Sequence, residues 1–157
     1  MDEIDRKILS HIQHSGHDSY ADIGAAVGLS VSAVNERLKK LQAQGAIRGW
    51  AACVDPESVG RGVLAFVFVA LDRPEHDVGF RAAMTARDEI QECHHVTGDW
   101  SYLLKARLGS VGELETLLAT AIKVQPGVTR THTMIALSSP KESAFVPCHA
   151  GDGTAPP

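Results

Sequence analysis

Ser30, Ser32, Ala33, Asn35, Glu36, Arg37, Lys39 and Lys40 fall within one short stretch, GLSVSAVNERLKKLQAQG, running from Gly28 to Gly45. Hydroxyl, amide and guanidinium groups hydrogen-bond base edges and phosphates, whereas ammonium groups mainly neutralise phosphate. Asparagine can pair with adenine and arginine with guanine, so the set has the chemistry of a DNA contact. After Glu36 every charge up to and including Arg48 is positive. Spacing then says how these groups are presented. Val34, Leu38 and Leu41, followed by Ile47, lie on one helical stripe, so a helix here buries that stripe and offers the remainder.

A second group is the turn Val96, Thr97, Gly98, Asp99, Trp100, Ser101 and Tyr102. Backbone amides around Gly98 can hold a carboxylate, Asp99 can pair with an ammonium, and neighbouring apolar side chains can sort a ligand's tail. The plainer reading is a sheet hairpin that needs glycine for its shape. A third group, His11, His14 and His17, is spaced like a metal site, but no fourth ligand lies nearby and Ser15-Gly16 interrupts the helix. A solvated helix edge is favoured, and no metal is assigned. No residue is assigned a catalytic role, and no cofactor is implied.

The elements that must position these groups follow in chain order. Ile4, Ile8, Leu9 and Ile12 repeat at helical spacing, with Asp2, Glu3 and Asp5 at the favourable end of the helix dipole. Ser19 with Asp22 resembles a capping box opening a second helix, Tyr20 to Val27. Gly28 ends it, and Ser30 or Ser32 caps the third, which stops at Gly45. Helix, short turn, helix is the spacing of a helix-turn-helix. A unit this small buries little surface, so it leans on the rest of the chain or on a second copy. Ala46 to Val54 reads as a strand leading out.

The second half alternates differently. Val63 to Leu71, VLAFVFVAL, is apolar on both faces of a strand, which predicts a sheet covered on both sides. A helix over residues 76–87, a strand from Ile90 to Thr97, a tight turn at Gly98-Asp99 and a strand from Ser101 to Leu108 follow. Ser110 to Val124 is a helix ended by Pro126-Gly127, and Val128 to Leu137 is the last strand. The order βαββαβ predicts a ferredoxin-like sheet with helices on one face and a bare face that self-association would cover. The domains expected are 1–50, a linker strand and hinge over 51–61, 62–138, and a mobile tail over 139–157.

Composition sets limits on these readings. The chain has 157 residues and a net charge of −4. Within residues 1–50, Arg6, Lys7, Arg37, Lys39, Lys40 and Arg48 balance Asp2, Glu3, Asp5, Asp18, Asp22 and Glu36. That argues against a bulk nucleic-acid coat and for local contacts. Cys53, Cys93 and Cys148 form no CxxC pair, which fits buried small apolar residues in a reduced, cytoplasmic protein. No apolar run approaches the roughly 20 residues needed to span a bilayer.

IDRKIL near the start, IGAAVGLSVSAVNERLKKLQAQGAIRGW across the three-helix unit, and EIQECHHVTGDWSYLLKARL with PGVTRTHT in the second half together resemble the Lrp/AsnC, or feast/famine, transcriptional regulators. The resemblance spans roughly residues 2–138. It implies an α+β protein: a winged-type helix-turn-helix head joined by a strand to a ferredoxin-like ligand-sensing domain. It also implies homodimers that assemble into tetramers or octamers, and a small amino-acid effector bound between dimers near the 96–102 loop and the last strand. Thr133, Met134 and Ile135 are further effector candidates on that ground. The family often carries an acidic residue where Ser101 stands and an aliphatic one where His95 stands.

Together these readings predict a transcription factor that contacts double-stranded DNA through Ser30, Ser32, Ala33, Asn35, Glu36, Arg37, Lys39, Lys40 and Arg48. The rival is an enzyme, because proteins acting as sirohaem decarboxylases share the two-domain layout. Such chemistry would need a tetrapyrrole pocket, for which His94, His95, Arg107 and His132 are conceivable members. An exposed basic helix face is a feature an enzyme would not need, so the regulator is favoured.

Overall fold

The computed structural model describes residues 1–148. They form two compact units, Met1–Ala52 together with residues 142–148, and Cys53–Lys141.

The first unit, the head, is built on α1 (Glu3–His14), α2 (Tyr20–Val27) and α3 (Val31–Ala43). Each starts on a side chain that satisfies an otherwise orphan backbone donor. Asp2 and Asp5 form a reciprocal capping box at 2.8 and 3.0 Å, and Ser19 and Asp22 form another at 3.2 and 3.1 Å. Ser30 Oγ accepts from the Ala33 N–H at 3.3 Å. Gly28 closes α2 in the left-handed conformation, φ 74°, where a side chain would be strained. Ile8, Ile12, Ile23, Val34, Leu38 and Leu41 meet in the core, and Ile4, Leu9, Val27, Leu29 and Ile47 pack around them.

The second unit is an antiparallel sheet in the order β2-β3-β1-β4. Its elements are β1 (Val63–Leu71), α4 (Asp77–Thr85), β2 (Ile90–His95), β3 (Tyr102–Leu108), α5 (Val111–Leu117), prolonged by a π-helical turn over Leu118–Ile122, and β4 (Val128–Ile135). This is the expected ferredoxin-like topology. β1 lies at the centre, with Val67 opposite Leu104 on one side and Thr133 on the other. Ala65, Val67 and Val69 share a face with Tyr102, Leu104, Ala106 and Leu108, and Phe80, Met84, Leu114, Leu117, Ala121 and Ile122 cover it. The opposite face carries Phe66, Phe68, Leu103, His132 and Met134 without a helix over it.

Several boundaries differ from the sequence reading. Ala46–Val54 forms no strand, because no other strand lies beside it to complete a ladder, and Trp50 and Val54 are exposed. β2 ends at His95 and β3 begins at Tyr102, so Gly98-Asp99 sits in a six-position loop, Val96–Ser101, longer than the tight hairpin-like turn expected between Thr97 and Ser101. That loop is closed by the Val96 N–H donating to the Ser101 carbonyl at 3.1 Å. The tail expected to be mobile from 139 contains a segment, Phe145–Cys148, that contacts α1. The remainder of the expected tail, 149–157, lies outside the described residues.

Candidate DNA interface and effector loop

The turn between α2 and α3 is tighter than its sequence suggests. Gly24, inside α2, approaches the following turn so closely that a Cβ there would meet the Leu29 carbonyl oxygen at 2.5 Å, and the Leu29 N–H donates to the Gly24 carbonyl at 2.9 Å. Close backbone approach is what glycine permits inside a helix despite its cost to helix propensity. Gly24 was missed in the sequence reading; a glycine five residues ahead of a capped turn was the available signal.

With Val34, Leu38 and Leu41 buried, α3 turns Ser32, Glu36, Lys39 and Lys40 outward, where all four are exposed. Ala33 and Asn35 are half-buried on its flanks, and Ser30 caps its start. Arg48, past Gly45, is exposed. Lys39, Lys40 and Arg48 make no ion pair among the described residues. These cations are presented to solvent, along the later turns of α3 and just past its end.

Arg37 is a correction. Expected on the exposed face, it turns inward: one guanidinium nitrogen donates to Asp2 Oδ2 at 2.7 Å and to Asp5 Oδ1 at 2.6 Å. Asp5 is the one buried charged residue among those described, 2% exposed. A buried carboxylate is tolerated when paired and hydrogen-bonded, and Arg37 supplies the pairing. Hydrogen bonds that Arg37 donates to Asp2 and then to Asp5 push its pKa up. The Asp5 N–H, and after it Arg37, holds the Asp2 carboxyl below the usual aspartate range. Arg37 thus ties α3 to the start of α1.

The structure separates the effector candidates. Thr97, Gly98 and Asp99 form the exposed loop tip, with Gly98 at φ +99°. Trp100 lies against Phe68 and His132 at centroid distances of 5.8 and 6.2 Å on the uncovered sheet face. Arg130 stacks over Trp100, 4.3 Å from the ring centroid, while an Arg130 Nη2–H donates to the Asp99 carbonyl at 3.3 Å. This aromatic and cationic cluster was not anticipated from the sequence, because its members come from two strands, β1 and β4, and a loop.

Ser101 and Tyr102 are corrections. Ser101 Oγ accepts the Leu71 N–H at 3.0 Å and so completes the end of β1. Tyr102 faces the helices, 1% exposed, 4.9 Å from the Phe80 ring and stacked on His95 at 5.1 Å. Burial, and after it the charge of Asp77, pushes the Tyr102 phenol pKa up. The register also splits the β4 candidates: Met134, opposite Phe66, is on the uncovered face, whereas Thr133 and Ile135, opposite Val67 and Ala65, share the face of the core.

A cleft of about 840 Å³, lined by Val59, Arg61, Arg87, Glu89, Glu113 and their neighbours, lies at the other end of the sheet from this loop. Four of its charges pair with one another, Arg61 with Glu113 at 2.7 Å and Arg87 with Glu89 at 2.6 Å. The tetrapyrrole residues do not converge: β2, with His94 and His95, and β4, with His132, are opposite edges of the sheet. Of the three spaced histidines, His11 pairs with Asp18 at 2.8 Å and His14 Nδ1 meets the Ser10 carbonyl at 2.9 Å. Among the described residues no group of three or more His, Cys, Asp or Glu side chains is placed to hold a metal.

Residues 1–42 match the family model for the AsnC-type helix-turn-helix domain, and residues 64–145 match that for the Lrp/AsnC ligand binding domain. The chain belongs to the Lrp/AsnC family. It is a transcriptional regulator with a helix-turn-helix head and a ligand-binding domain. Among relatives, it is 40% identical to the leucine-responsive regulatory protein of Haemophilus influenzae, over 93% of this chain and 89% of that one. The Escherichia coli K12 protein of the same name is 37% identical, over 91% and 88%. A transcriptional regulator of Neisseria meningitidis solved with L-methionine has a TM-score of 0.89 at 28% identity, covering 94% of this chain and 96% of that one. The feast or famine regulatory protein of Mycobacterium tuberculosis, complexed with L-methionine, has a TM-score of 0.85 at 31% identity, covering 92% and 97%.

Proposed function

We propose that this Lrp/AsnC regulator reads double-stranded DNA with the outward face of α3 and responds to a small apolar amino acid at the loop Val96–Ser101. The observation that carries the DNA reading is the presentation of α3: Ser32, Glu36, Lys39 and Lys40 exposed above a buried Val34, Leu38 and Leu41 stripe. Ser30, Ala33 and Asn35 border the bases, and Lys39, Lys40 and Arg48 neutralise phosphate. The head carries no net positive charge, so one head binds weakly. A homodimer placing two heads in successive major grooves, about 34 Å apart, supplies the rest. The uncovered face with Phe66, Phe68 and Leu103 is the surface through which copies pair, and dimers assemble further.

The effector reading rests on the exposed loop tip beside Trp100, with Phe68 and His132 against that ring and Met134 further along the same sheet face, which offers backbone amides for a carboxylate and an apolar wall for a side chain. L-methionine in two structural relatives and the leucine-responsive naming of the sequence relatives support an apolar amino acid. The site is cytoplasmic in this reading, and no step of chemistry is assigned to the chain. Among the described residues, no helix is long and apolar enough to cross a membrane.

The test is footprinting of genomic DNA by the purified protein, repeated with methionine, leucine and alanine. Protected half-sites spaced by a helical turn or a multiple of it are expected, with the spacing changed by one of the amino acids or the affinity altered about 5- to 150-fold, about 1–3 kcal/mol of coupling. A footprint untouched by all three would remove the effector half, and no footprint at all would remove the DNA half.

A further inference from the structure

The far end of the chain grips the head. The Val146 N–H donates to Gln13 Oε1 at 2.7 Å, and Gln13 Nε2 donates to the Val146 carbonyl at 3.0 Å. One side-chain amide therefore pairs with one backbone residue in both directions, as an adjacent strand would. Gln13 Nε2 also lies 3.1 Å from Cys148 Sγ, and the Phe145 ring packs on His14 with centroids 4.5 Å apart. Gln13 and His14 form the last turn of α1, whose first turn is held by Arg37 of α3. Helix α1 is thus held at one end by the DNA-facing helix and at the other by the C-terminal segment.

These contacts are exposed, and each hydrogen bond of this kind contributes little net. They persist because the segment is tethered: residues 136–144 join it to β4, and a short tether raises effective concentration to the millimolar range. The same weakness makes the contacts releasable. A free second copy of the segment lacks that advantage at ordinary protein concentrations, so the occupant is the chain's own.

We propose that Phe145–Cys148 is a releasable strap on α1 that stiffens the head in its DNA-reading form. It also gives the sensing unit a second covalent route into the head, beside residues 53–62. The second role rests on the effector reading above, because β4, with Met134, is joined to the strap by residues 136–144.

Gln13→Ala combined with Phe145→Ala, in the full chain, removes the clasp at two surface positions. Hydrogen exchange of α1 amides is expected to speed up about tenfold, the loss of roughly one net hydrogen bond's worth of protection, while β1 and β3 amides keep their rates. Val146→Pro, which deletes a single donor, gives a smaller acceleration in the same amides. A duplex selected from random sequence with the unmodified chain should bind several-fold more weakly to the double variant. Unchanged exchange in α1, or equal acceleration in the sheet, would overturn the strap. For the second role, added L-methionine should alter α1 exchange in the unmodified chain and not in the double variant. Equal alteration in both overturns the route. Methionine that alters exchange nowhere removes the route together with the effector reading, while the first comparison still decides the stiffening.

Discussion

Three basic positions within four residues of one another on α3 have two opposite jobs. Lys39 and Lys40 face solvent, and Arg37 faces Asp2 and Asp5. Lys39→Gln and Lys40→Gln should each leave the melting temperature in place and lower the salt slope of DNA binding by about 1, which titrations at several salt concentrations will read. Arg37→Gln should instead lower the melting temperature, since it strands the buried Asp5 carboxylate without its cation. The pH dependence follows the same pair. Asp2 has a folded pKa below its ordinary value of 3.8, so its stabilisation is fully present above that value and is lost as pH falls through the folded pKa. Melting temperatures of the head should therefore drop below about pH 4, and less steeply in Arg37→Gln.

Two glycines decide how elements meet. At Gly24 a methyl group would press on the Leu29 carbonyl, so Gly24→Ala should cost the head about 1–3 kcal/mol and weaken DNA binding while exchange in the sheet is unchanged. At Gly127, φ +81°, an added Cβ would run into the His76 ring and Asp72, and the Gly127 carbonyl accepts the Asp72 N–H at 2.9 Å. Gly127→Ala should cost about 2 kcal/mol, seen as a lower denaturant midpoint for the sheet. The helices were legible from the sequence because caps and periodicity are local: Ser19, Asp22, Gly28 and Ser30 each act within a few residues of themselves. Strand ends were less so. The loop that follows β2 is anchored by Ser101 at the end of β1, a contact between positions thirty apart in sequence.

At the scale of the molecule, the doubly apolar β1 explains both the core and the surface through which copies are proposed to pair. Phe66→Asp places a charge on the uncovered face and leaves the core face intact, so sedimentation should show a smaller species with unchanged helix and sheet content. The sequence by itself determined the helix-turn-helix, the βαββαβ order and the two faces of each strand, because periods of 3.6 and 2 residues and capping side chains are properties of neighbouring positions. Only the tertiary structure decided which charges are available and which are spent. Arg37 reads as a DNA contact by its place on α3, Ser101 and Tyr102 read as ligand contacts by their place near Gly98, and Phe145–Cys148 reads as loose tail. Each is claimed by a partner far away in the chain, at Asp5, Leu71, Phe80 or Gln13. Such pairings depend on where distant segments come to lie, and periodicity along one segment holds no information about that.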